Sequence, residues 1–308
     1  MKRREFIEKT AATTAFVGLG LSLSSFKSNA ISSCDTKHLT ILHTNDVHSY
    51  IDPFPPTHPK NPNMGGVARR AALIEVIREE NPNVLLLDAG DIFQGTPYFN
   101  YYGGELEFKL MSMMDYDVAT MGNHDFDNSI DGFHSQLHHA KFDFVSANYD
   151  FKNTVLDGLI KPYTILHKNG IKVGVFGLGV GLDGLVDKKN YKETVYNDPV
   201  GVTQDIVRIL KHEKKCDLVI CLSHLGYKYK DEPDKICDLK LAELTQDIDL
   251  IIGGHTHTFL DKPTVLKNAI GQDVLVNQVG CYGINLGRID FYLDLNLSKS
   301  IVGKSIVV

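Results

Sequence analysis

The sequence predicts an α/β sandwich whose strands are mostly buried, and two patterns lead to this fold class. Short apolar runs of strand length recur along the chain from Leu39, and several are flanked by stretches with helical periodicity. After Gly283 the pattern changes to strict alternation of apolar and polar residues. That alternation predicts an antiparallel hairpin that closes the domain. The length of 308 residues, 43% of them hydrophobic, suits one large domain or two small ones.

Each predicted element follows from its local pattern. Apolar runs predict strands at residues 39–42, 84–87, 118–121, 144–147, 173–178, 218–222, 250–252 and 274–276. Helical patterns predict helices at residues 67–79, 105–114, 202–211 and 236–244. In the closing hairpin the alternating residues are Ile289, Phe291, Leu293 and Leu295. A turn near residues 296–299 then leads to a last strand that reaches Val308.

The first thirty residues carry the features of an export signal. Basic residues open the chain, a mildly apolar stretch spans residues 11–23, and a small-x-small ending lies at residues 28–30. The adjacent Arg3 and Arg4 resemble a twin-arginine signal. Agreement with that signal is partial, because Lys2 stands where Ser or Thr is usual. We therefore predict an exported, periplasmic protein.

A lipoprotein is the alternative to simple cleavage of this leader. Residues 31–34 resemble a lipoprotein cleavage box that ends at Cys34, but a long polar spacer separates the box from the apolar stretch. Cleavage after Ala30 is favoured for that reason. The expected domain organisation is an export signal at residues 1–30 and one domain at residues 31–308, with membrane attachment only if Cys34 is lipidated.

The charge of the predicted mature chain excludes some partners. Removal of residues 1–30 takes away five basic and two acidic residues, which changes the formal net charge from −6 to −9. An acidic surface argues against nucleic-acid polymers as partners. An anionic small molecule would need a local positive charge, and the mature chain contains only five arginines. Metal ions are the natural source of that charge.

The loops after five predicted strands each contain Asp, Asn or His. The candidate residues are Asp46, His48, Asp91, Asn123, His124, His224, His255 and His257. Oxygen atoms and imidazoles are ligands of hard-to-borderline divalent metals, and strand ends of α/β folds share one edge. A lone histidine at a strand end is more often a hydrogen-bonded structural residue. Agreement among all five loops predicts a metal site.

Two of these loops contain ligand candidates at positions i and i+2. Asp46 and His48 form one such pair, and His255 and His257 form the other. On an extended segment, residues i and i+2 point to the same side. One ion could therefore take both members of each pair.

Residues 122–127, Gly-Asn-His-Asp-Phe-Asp, follow the third predicted strand directly. Here Asn123 could offer a neutral oxygen to a metal, and the neighbouring His124 could act on a substrate. The plain alternative is a strand-to-helix turn in which Asn123 and Asp127 are local caps.

With these motifs the sequence resembles the calcineurin-like metallophosphoesterases, and within them the catalytic domain of the secreted 5′-nucleotidase and UDP-sugar hydrolase family. The matching segments are residues 43–48, 65–70, 88–91, 122–127, 223–224 and 253–257. The resemblance extends over essentially the whole mature chain. It implies a single-domain, four-layer α/β/β/α metallophosphoesterase sandwich.

The resemblance also implies two divalent metal ions, whose identity stays open among Mn, Zn, Co, Fe and Mg. The implied ligands of one ion are Asp46, His48, Asp91 and His257. Those of the other are Asp91, Asn123, His224 and His255. Asp91 would bridge the ions, and a bridging hydroxide between ions about 3.5 to 4 Å apart would attack phosphorus in line.

The same resemblance assigns catalytic roles to His124 and Asp127. His124 would stabilise charge on the phosphoryl group or protonate the leaving alkoxide, with Asp127 holding its ring. Asp125 is expected to be structural. The implied activity is hydrolysis of phosphate monoesters, with nucleotides as the expected small-molecule substrates. The alternatives are a 2′,3′-cyclic-nucleotide or UDP-sugar phosphodiesterase with the same site, and a non-catalytic metal-binding subunit.

The sequence departs from the resembled family in one respect. Nucleotide-hydrolysing members usually carry a second domain that binds the base, whereas this sequence ends at Val308, just after the predicted hairpin. We expect either broad specificity or a separate exported substrate-binding chain.

Two further segments have more than one interpretation. Residues 52–63 contain five prolines and could form a rigid flap beside the site or a plain surface loop. The aromatic residues between Tyr98 and Tyr102 could stack on a base, although packing against the helix at residues 105–114 is favoured.

Overall fold

The computed structural model describes residues 36–294 and 299–308. The predicted export signal, Cys34 and the turn of the closing hairpin lie outside these residues, so the predictions made for them stay predictions. Within the described part of the chain, no helix combines the length and the apolar character needed to cross a membrane.

The first sheet has six strands in the order β14-β13-β1-β2-β3-β4. Its strands are β1 (Lys37–Thr44), β2 (Val84–Asp88), β3 (Val118–Ala119), β4 (Asp143–Phe144), β13 (Asn285–Leu293) and β14 (Lys299–Val307). The pairs from β1 to β4 are parallel, and β13 pairs antiparallel with both β1 and β14. The predicted closing hairpin is therefore confirmed as an antiparallel pair, and it forms one edge of this sheet.

The second sheet also has six strands, in the order β11-β12-β10-β9-β7-β6. Its strands are β6 (Tyr163–Lys168), β7 (Ile171–Gly179), β9 (Leu218–His224), β10 (Leu250–Gly253), β11 (Thr264–Lys267) and β12 (Asp273–Asn277). The four inner strands are parallel, whereas β6 and β11 add antiparallel edges. A small two-stranded sheet pairs β5 (Tyr149–Asp150) with β8 (Val195–Tyr196).

Helices cover the outer faces of the sheets. They are α1 (Val67–Glu80), α2 (Pro97–Tyr102), α3 (Glu105–Met113), α4 (Ser129–Gln136), α5 (Lys188–Tyr191), α6 (Pro199–Arg208) and α7 (Asp238–Leu244). Short 3₁₀ turns span His124–Phe126 and Leu137–His139, and a π turn at Ile209–Glu213 continues α6. Helix α6 begins earlier than predicted because the Asp198 carboxylate accepts hydrogen bonds from the main-chain N–H groups of Val200 and Gly201.

Three hydrophobic clusters lie between the layers of the fold. Between the sheets, Ile41 and Leu87 of the first sheet pack with Val175 and Ile220 of the second. Neighbouring residues of each strand point to the opposite face, where they pack against helices. On the outer face of the first sheet these contacts include Leu42, Ile74, Phe108 and Phe133, and on that of the second Phe176, Ile206, Cys221 and Leu241. The predicted four-layer α/β/β/α sandwich is confirmed.

The sequence did not predict the edge strands β6 and β11 or the helix α4. The two edge strands are only partly buried and therefore lack a continuous apolar run. The segment between Tyr98 and Tyr102 was predicted to pack against the following helix, and Phe99 is buried in the same hydrophobic cluster as Phe108 of that helix. In contrast, Tyr101 is 82% exposed. The packing prediction was therefore wrong for part of this segment.

Candidate metal centre

The polar loops predicted from sequence meet at one edge of the sandwich, where the carboxyl ends of strands from both sheets converge. Strands β1, β2 and β3 lead into the loops that carry Asp46 with His48, Asp91, and Asn123 with His124. Strand β9 ends at His224 itself, and β10 leads to His255 and His257. All the predicted site residues thus come together, although they lie far apart in sequence.

Two groups of side chains could each hold a metal ion, and the candidate ligand atoms within each group lie within 4.8 Å of one another. The first group comprises Asp46, His48 and His257. Its two imidazoles approach closely, with 3.0 Å between the Nε2 atoms of His48 and His257. The Oδ1 atom of Asp46 lies 3.3 Å from His257 Nε2.

The second group comprises Asp91, His224 and His255. The Oδ2 atom of Asp91 lies 3.0 Å from His224 Nε2. The side-chain oxygen of Asn123 lies 2.8 Å from His255 Nδ1 and joins this group as a neutral donor. Apart from Asp91, which the family resemblance places in both sets, the two groups contain the ligands that the resemblance assigns to the two ions.

Asp91 lies between the two groups. Its Oδ2 atom is 3.8 Å from His48 Nε2 of the first group, in addition to its contact with His224. Its Oδ1 atom accepts a hydrogen bond of 2.8 Å from the main-chain N–H of His124. One carboxylate oxygen is therefore shared between the groups while the other fixes the neighbouring loop.

The expectation that residues i and i+2 share one ion was wrong for His255 and His257, which belong to different groups. The spacing rule assumes an extended segment, and neither residue is extended: their φ angles are +71° and +51°. Asp46 and His48 do share a group, but they too have positive φ angles, +50° and +51°. Asp91 adopts the same left-handed region, with φ of +55°. In these tight loops the directions of the side chains therefore differ from those of an extended segment.

Close backbone approach explains one of the glycines beside the site. A Cβ atom on Gly122 would lie 2.2 Å from Asp91 Oδ1 and 2.6 Å from His224 Cε1. Any side chain at this position would therefore displace the shared carboxylate.

Main-chain contacts orient the imidazoles. The Nδ1–H of His224 donates to the carbonyl oxygen of Ala89 over 2.7 Å, which leaves Nε2 directed at Asp91. In the same way, Nδ1 of His48 lies 3.1 Å from the Gln94 carbonyl oxygen, and Nε2 is directed at the first group. Although it is buried close to Asp91, His224 Nε2 makes no well-aligned hydrogen bond. A buried nitrogen that lies this close to a carboxylate without a well-aligned hydrogen bond is suited to binding a metal ion together with that carboxylate. The donor set of carboxylate, amide and imidazole groups fits a divalent cation.

Electrostatic coupling between the groups is strong. Burial opposes charge on the His224 ring, but Asp91 and Asp46 outweigh it and raise the pKa of His224 to about 10. Burial lowers the pKa of His255 to about 4, and the neighbouring His224 contributes to this effect.

His124 and Asp127 form a pair at the rim of the centre. The Nδ1–H of His124 donates to Asp127 Oδ2 over 2.7 Å, and the two side chains are 39% and 29% exposed. This hydrogen bond raises the pKa of His124 above its ordinary value, against the effect of burial. The ring lies 5.2 Å from that of His48, so it faces the first group.

Asp125 has a different environment from its neighbours. Its carboxylate is fully buried and accepts hydrogen bonds from the main-chain N–H groups of Gly122, Asp91, Ile92 and Phe93. It therefore ties two loops of the centre together, as expected for a structural residue.

Several residues around the centre were missed by sequence reasoning. The side chain of Asn45 donates to Asp46 Oδ2 and to the Gly280 carbonyl oxygen, at 2.6 Å each. The ring of Tyr282 lies 5.9 Å from that of His48 and 5.7 Å from that of His257. Tyr282 follows β12 in a Gly-Cys-Tyr-Gly loop, and this strand-end position could have been recognised if aromatic residues had been considered beside Asp, Asn and His.

This layered sandwich, with two groups of metal-ligand candidates at its strand ends, has the architecture of a metallophosphoesterase. The sequence model described as calcineurin-like phosphoesterase matches residues 39–259. The chain belongs to this family.

The chain is also similar to individual proteins of this family. The chain is 35% identical over 288 residues to the trifunctional nucleotide phosphoesterase protein YfkN of Bacillus subtilis, a match that covers 83% of this chain and 18% of that protein. It is 34% identical over 277 residues to the 5′-nucleotidase of Rattus norvegicus, covering 83% of this chain and 46% of that one. The solved structure of a 5′-nucleotidase precursor from Thermus thermophilus has 34% identity and a TM-score of 0.79, covering 88% of this chain and 55% of that chain. The chain thus spans about half or less of the length of these relatives.

Proposed function

We propose that the protein is an exported, metal-dependent phosphatase that hydrolyses phosphate monoesters, with nucleotides as its substrates. The observation that carries this proposal is the position of Asp91 between two candidate metal groups, beside the His124–Asp127 pair. The names of the relatives, 5′-nucleotidase and nucleotide phosphoesterase, support the choice of substrate.

In this proposal Asp46, His48 and His257 hold one divalent ion, and Asn123, His224 and His255 hold another, with Asp91 as a ligand of both. When bound, two such ions would generate a nucleophile from water and neutralise charge on the phosphoryl oxygens. Mn, Zn, Co, Fe and Mg all remain candidates.

In this proposal His124 and Asp127, at the rim of the metal centre, stabilise charge and transfer a proton. Because Nδ1 of His124 donates to Asp127, its Nε2 atom is the free end of the ring. A protonated Nε2 can donate to a phosphoryl oxygen as charge develops there, or give its proton to the leaving alkoxide. Asp127 holds the ring in this tautomer and stabilises its cationic form. A metal that served structure alone would need neither residue.

Hydrolysis assays test the proposal. The purified chain is stripped of metal with a chelator and reloaded separately with Mn, Zn, Co, Fe and Mg, and its metal content is measured. Nucleoside monophosphates, 2′,3′-cyclic nucleotides and UDP-glucose are then compared as substrates. Preferred hydrolysis of the monophosphates is expected. Faster hydrolysis of the cyclic or sugar nucleotides would favour a phosphodiesterase, and two bound equivalents of metal with no hydrolysis would favour a non-catalytic binding subunit.

The export signal and the separate substrate-binding chain stay predictions. Expression of the full sequence with cell fractionation tests export: accumulation of the uncleaved chain in the cytoplasm would contradict it. Cleavage before Cys34 with attached lipid would favour the lipoprotein.

A further inference from the structure

A series of aromatic rings begins at the first metal group and leads away from it. Tyr282 lies in ring contact with His48 and His257, and the Tyr50 ring lies 4.4 Å from Tyr282. Phe54 follows at 5.0 Å from Tyr50. The series thus connects two candidate metal ligands with the proline-rich segment at residues 52–63.

Next to these rings lies a cleft formed by two adjoining cavities. The inner cavity, about 200 Å³, is lined by residues that include Tyr50, Phe54 and Tyr98. The outer cavity, about 560 Å³, is lined by Asp52, Pro97, Tyr98, Tyr101 and Tyr102. Because Asp52, Pro97 and Tyr98 line both cavities, the two form one continuous cleft.

The backbone at the inner end of the series is unusual. Tyr282 has a φ angle of +62°, a conformation that bulky side chains rarely adopt. Its main-chain N–H donates to the Asp46 carbonyl oxygen over 2.7 Å, which fixes this conformation beside the first metal group. Residues held in sparsely populated conformations concentrate at functional sites. The position of the Tyr282 ring is therefore tied to the centre itself.

The charge of the cleft limits what it can bind. Among the described residues that line it, the single charged side chain is Asp52, whose carboxylate accepts a hydrogen bond of 2.7 Å from the Tyr98 hydroxyl. A phosphate group would be repelled by that carboxylate. A neutral flat ring would find aromatic walls and an acceptor for its N–H or O–H groups.

We propose that this cleft binds the aromatic part of the leaving group, a nucleobase, between Tyr50 and Tyr98 while the phosphate lies at the metal centre. This inference rests on the proposed function and deepens it. Stacking is tolerant of base identity because every base has a π-face. The chain should therefore distinguish nucleotides from non-aromatic phosphate esters, yet discriminate little among the bases themselves.

The test compares AMP, UMP and glycerol phosphate on the metal-loaded full chain. Tyr98→Leu and Tyr50→Leu remove one aromatic wall each, and Tyr98→Phe keeps the ring without its hydroxyl. Tyr196→Leu is the matched control, because Tyr196 is also a partly exposed tyrosine but lines a different cleft. Thermal unfolding of each variant establishes that the fold is kept.

The two leucine variants are expected to raise KM for AMP and UMP by about 5- to 100-fold and to leave glycerol phosphate hydrolysis unchanged. Tyr98→Phe and Tyr196→Leu should stay close to the wild type. Equal effects on all three esters, no effect on the nucleotides, or a selective nucleotide defect in Tyr196→Leu would each overturn the proposal.

A binding measurement separates this inference from the proposed function. Isothermal titration of the metal-loaded protein with adenosine needs no hydrolysis. If the chain hydrolyses no ester, weaker adenosine binding by Tyr98→Leu than by wild type still supports the cleft, and absence of adenosine binding to wild type overturns it. If esters are hydrolysed but the variants show no selectivity, the cleft assignment fails and the phosphatase assignment stands.

Discussion

Asp127→Asn separates the orientation of His124 from its chemistry. The substitution keeps the size of the side chain but removes the carboxylate that accepts the His124 Nδ1–H over 2.7 Å. An amide can present either its oxygen or its nitrogen to the ring. The tautomer with Nε2 free for the substrate is then no longer enforced, and the cationic ring loses its partner.

The expected loss can be worked from the geometry. A hydrogen bond to a charged group contributes about 1.5 to 3 kcal/mol when it is shielded from water. The side chains are 39% and 29% exposed, so screening by solvent reduces this to about 1 to 2 kcal/mol. At about 1.4 kcal/mol per tenfold in rate, kcat should fall by about 5- to 30-fold.

Comparison with His124→Ala makes the assay specific. Removing the imidazole should lower kcat by about 10² to 10⁴. Both variants keep the main-chain N–H of His124 that donates to Asp91 Oδ1, so both should keep their metal. Steady-state kinetics with saturating metal, together with metal analysis of each protein, measures the two effects.

Three results would refute this reasoning. Equal losses in Asp127→Asn and His124→Ala would mean that Asp127 takes part in the reaction directly. Loss of bound metal in either variant would place the pair among the metal ligands. An unchanged kcat with a raised KM in His124→Ala would make His124 a binding residue for the ground state.

Asp91→Ala should remove metal and activity together because one carboxylate oxygen lies beside both groups; inactivity with two full equivalents of metal would contradict the bridging role. Asp290→Asn should lower the free energy of unfolding at pH 7 by about 1 to 3 kcal/mol, since Asp290 accepts hydrogen bonds from Thr40 and Arg288. Burial acts to raise the pKa of Asp290, but these partners hold it below its ordinary value, so its contribution is present above about pH 4 and lost as the pH falls through the folded-state pKa. Urea unfolding between pH 7 and 3 should therefore show that the free energies of unfolding of Asp290→Asn and wild type become more similar as the pH falls. A difference that stays constant over this range would contradict the prediction. Phe108→Ala should lower the free energy of unfolding by about 3 to 5 kcal/mol, because the ring is fully buried. Phe108→Leu is the milder control in the same urea titration. A smaller loss of stability in Phe108→Ala than in Phe108→Leu would argue against this packing.

The buried part of the fold could be predicted from sequence because it follows from hydrophobic periodicity. Strands such as β7 and β9 are buried along nearly their whole length and appear as continuous apolar runs. Strands β6 and β11 lie at sheet edges, where partial exposure admits polar residues and removes this signal. Helix α4 was missed because it has only eight residues and buries only Ile130 and Phe133, which gives a weak apolar periodicity.

The site residues could be located from sequence, but their grouping could not be derived from spacing. Location follows from the rule that parallel strands end at one edge. The spacing rule for residues i and i+2 assumes an extended segment, and these loop residues have positive φ angles, so it does not apply to His255 and His257, which lie in different groups. The aromatic cleft was harder still, because Tyr50 lies in the loop after β1 whereas Tyr98 lies in helix α2, far along the sequence.

The left-handed backbone of the centre has a consequence for engineering. Five candidate ligands, Asp46, His48, Asp91, His255 and His257, have positive φ angles, and each such residue other than glycine costs about 1 kcal/mol or more in the folded chain. Glycine adopts this region freely and asparagine more readily than most residues. A variant library selected only for heat resistance of the metal-free protein should therefore enrich glycine and asparagine at these positions. Such selection would gain stability by removing the candidate metal ligands, so a useful screen must include metal retention from its first round.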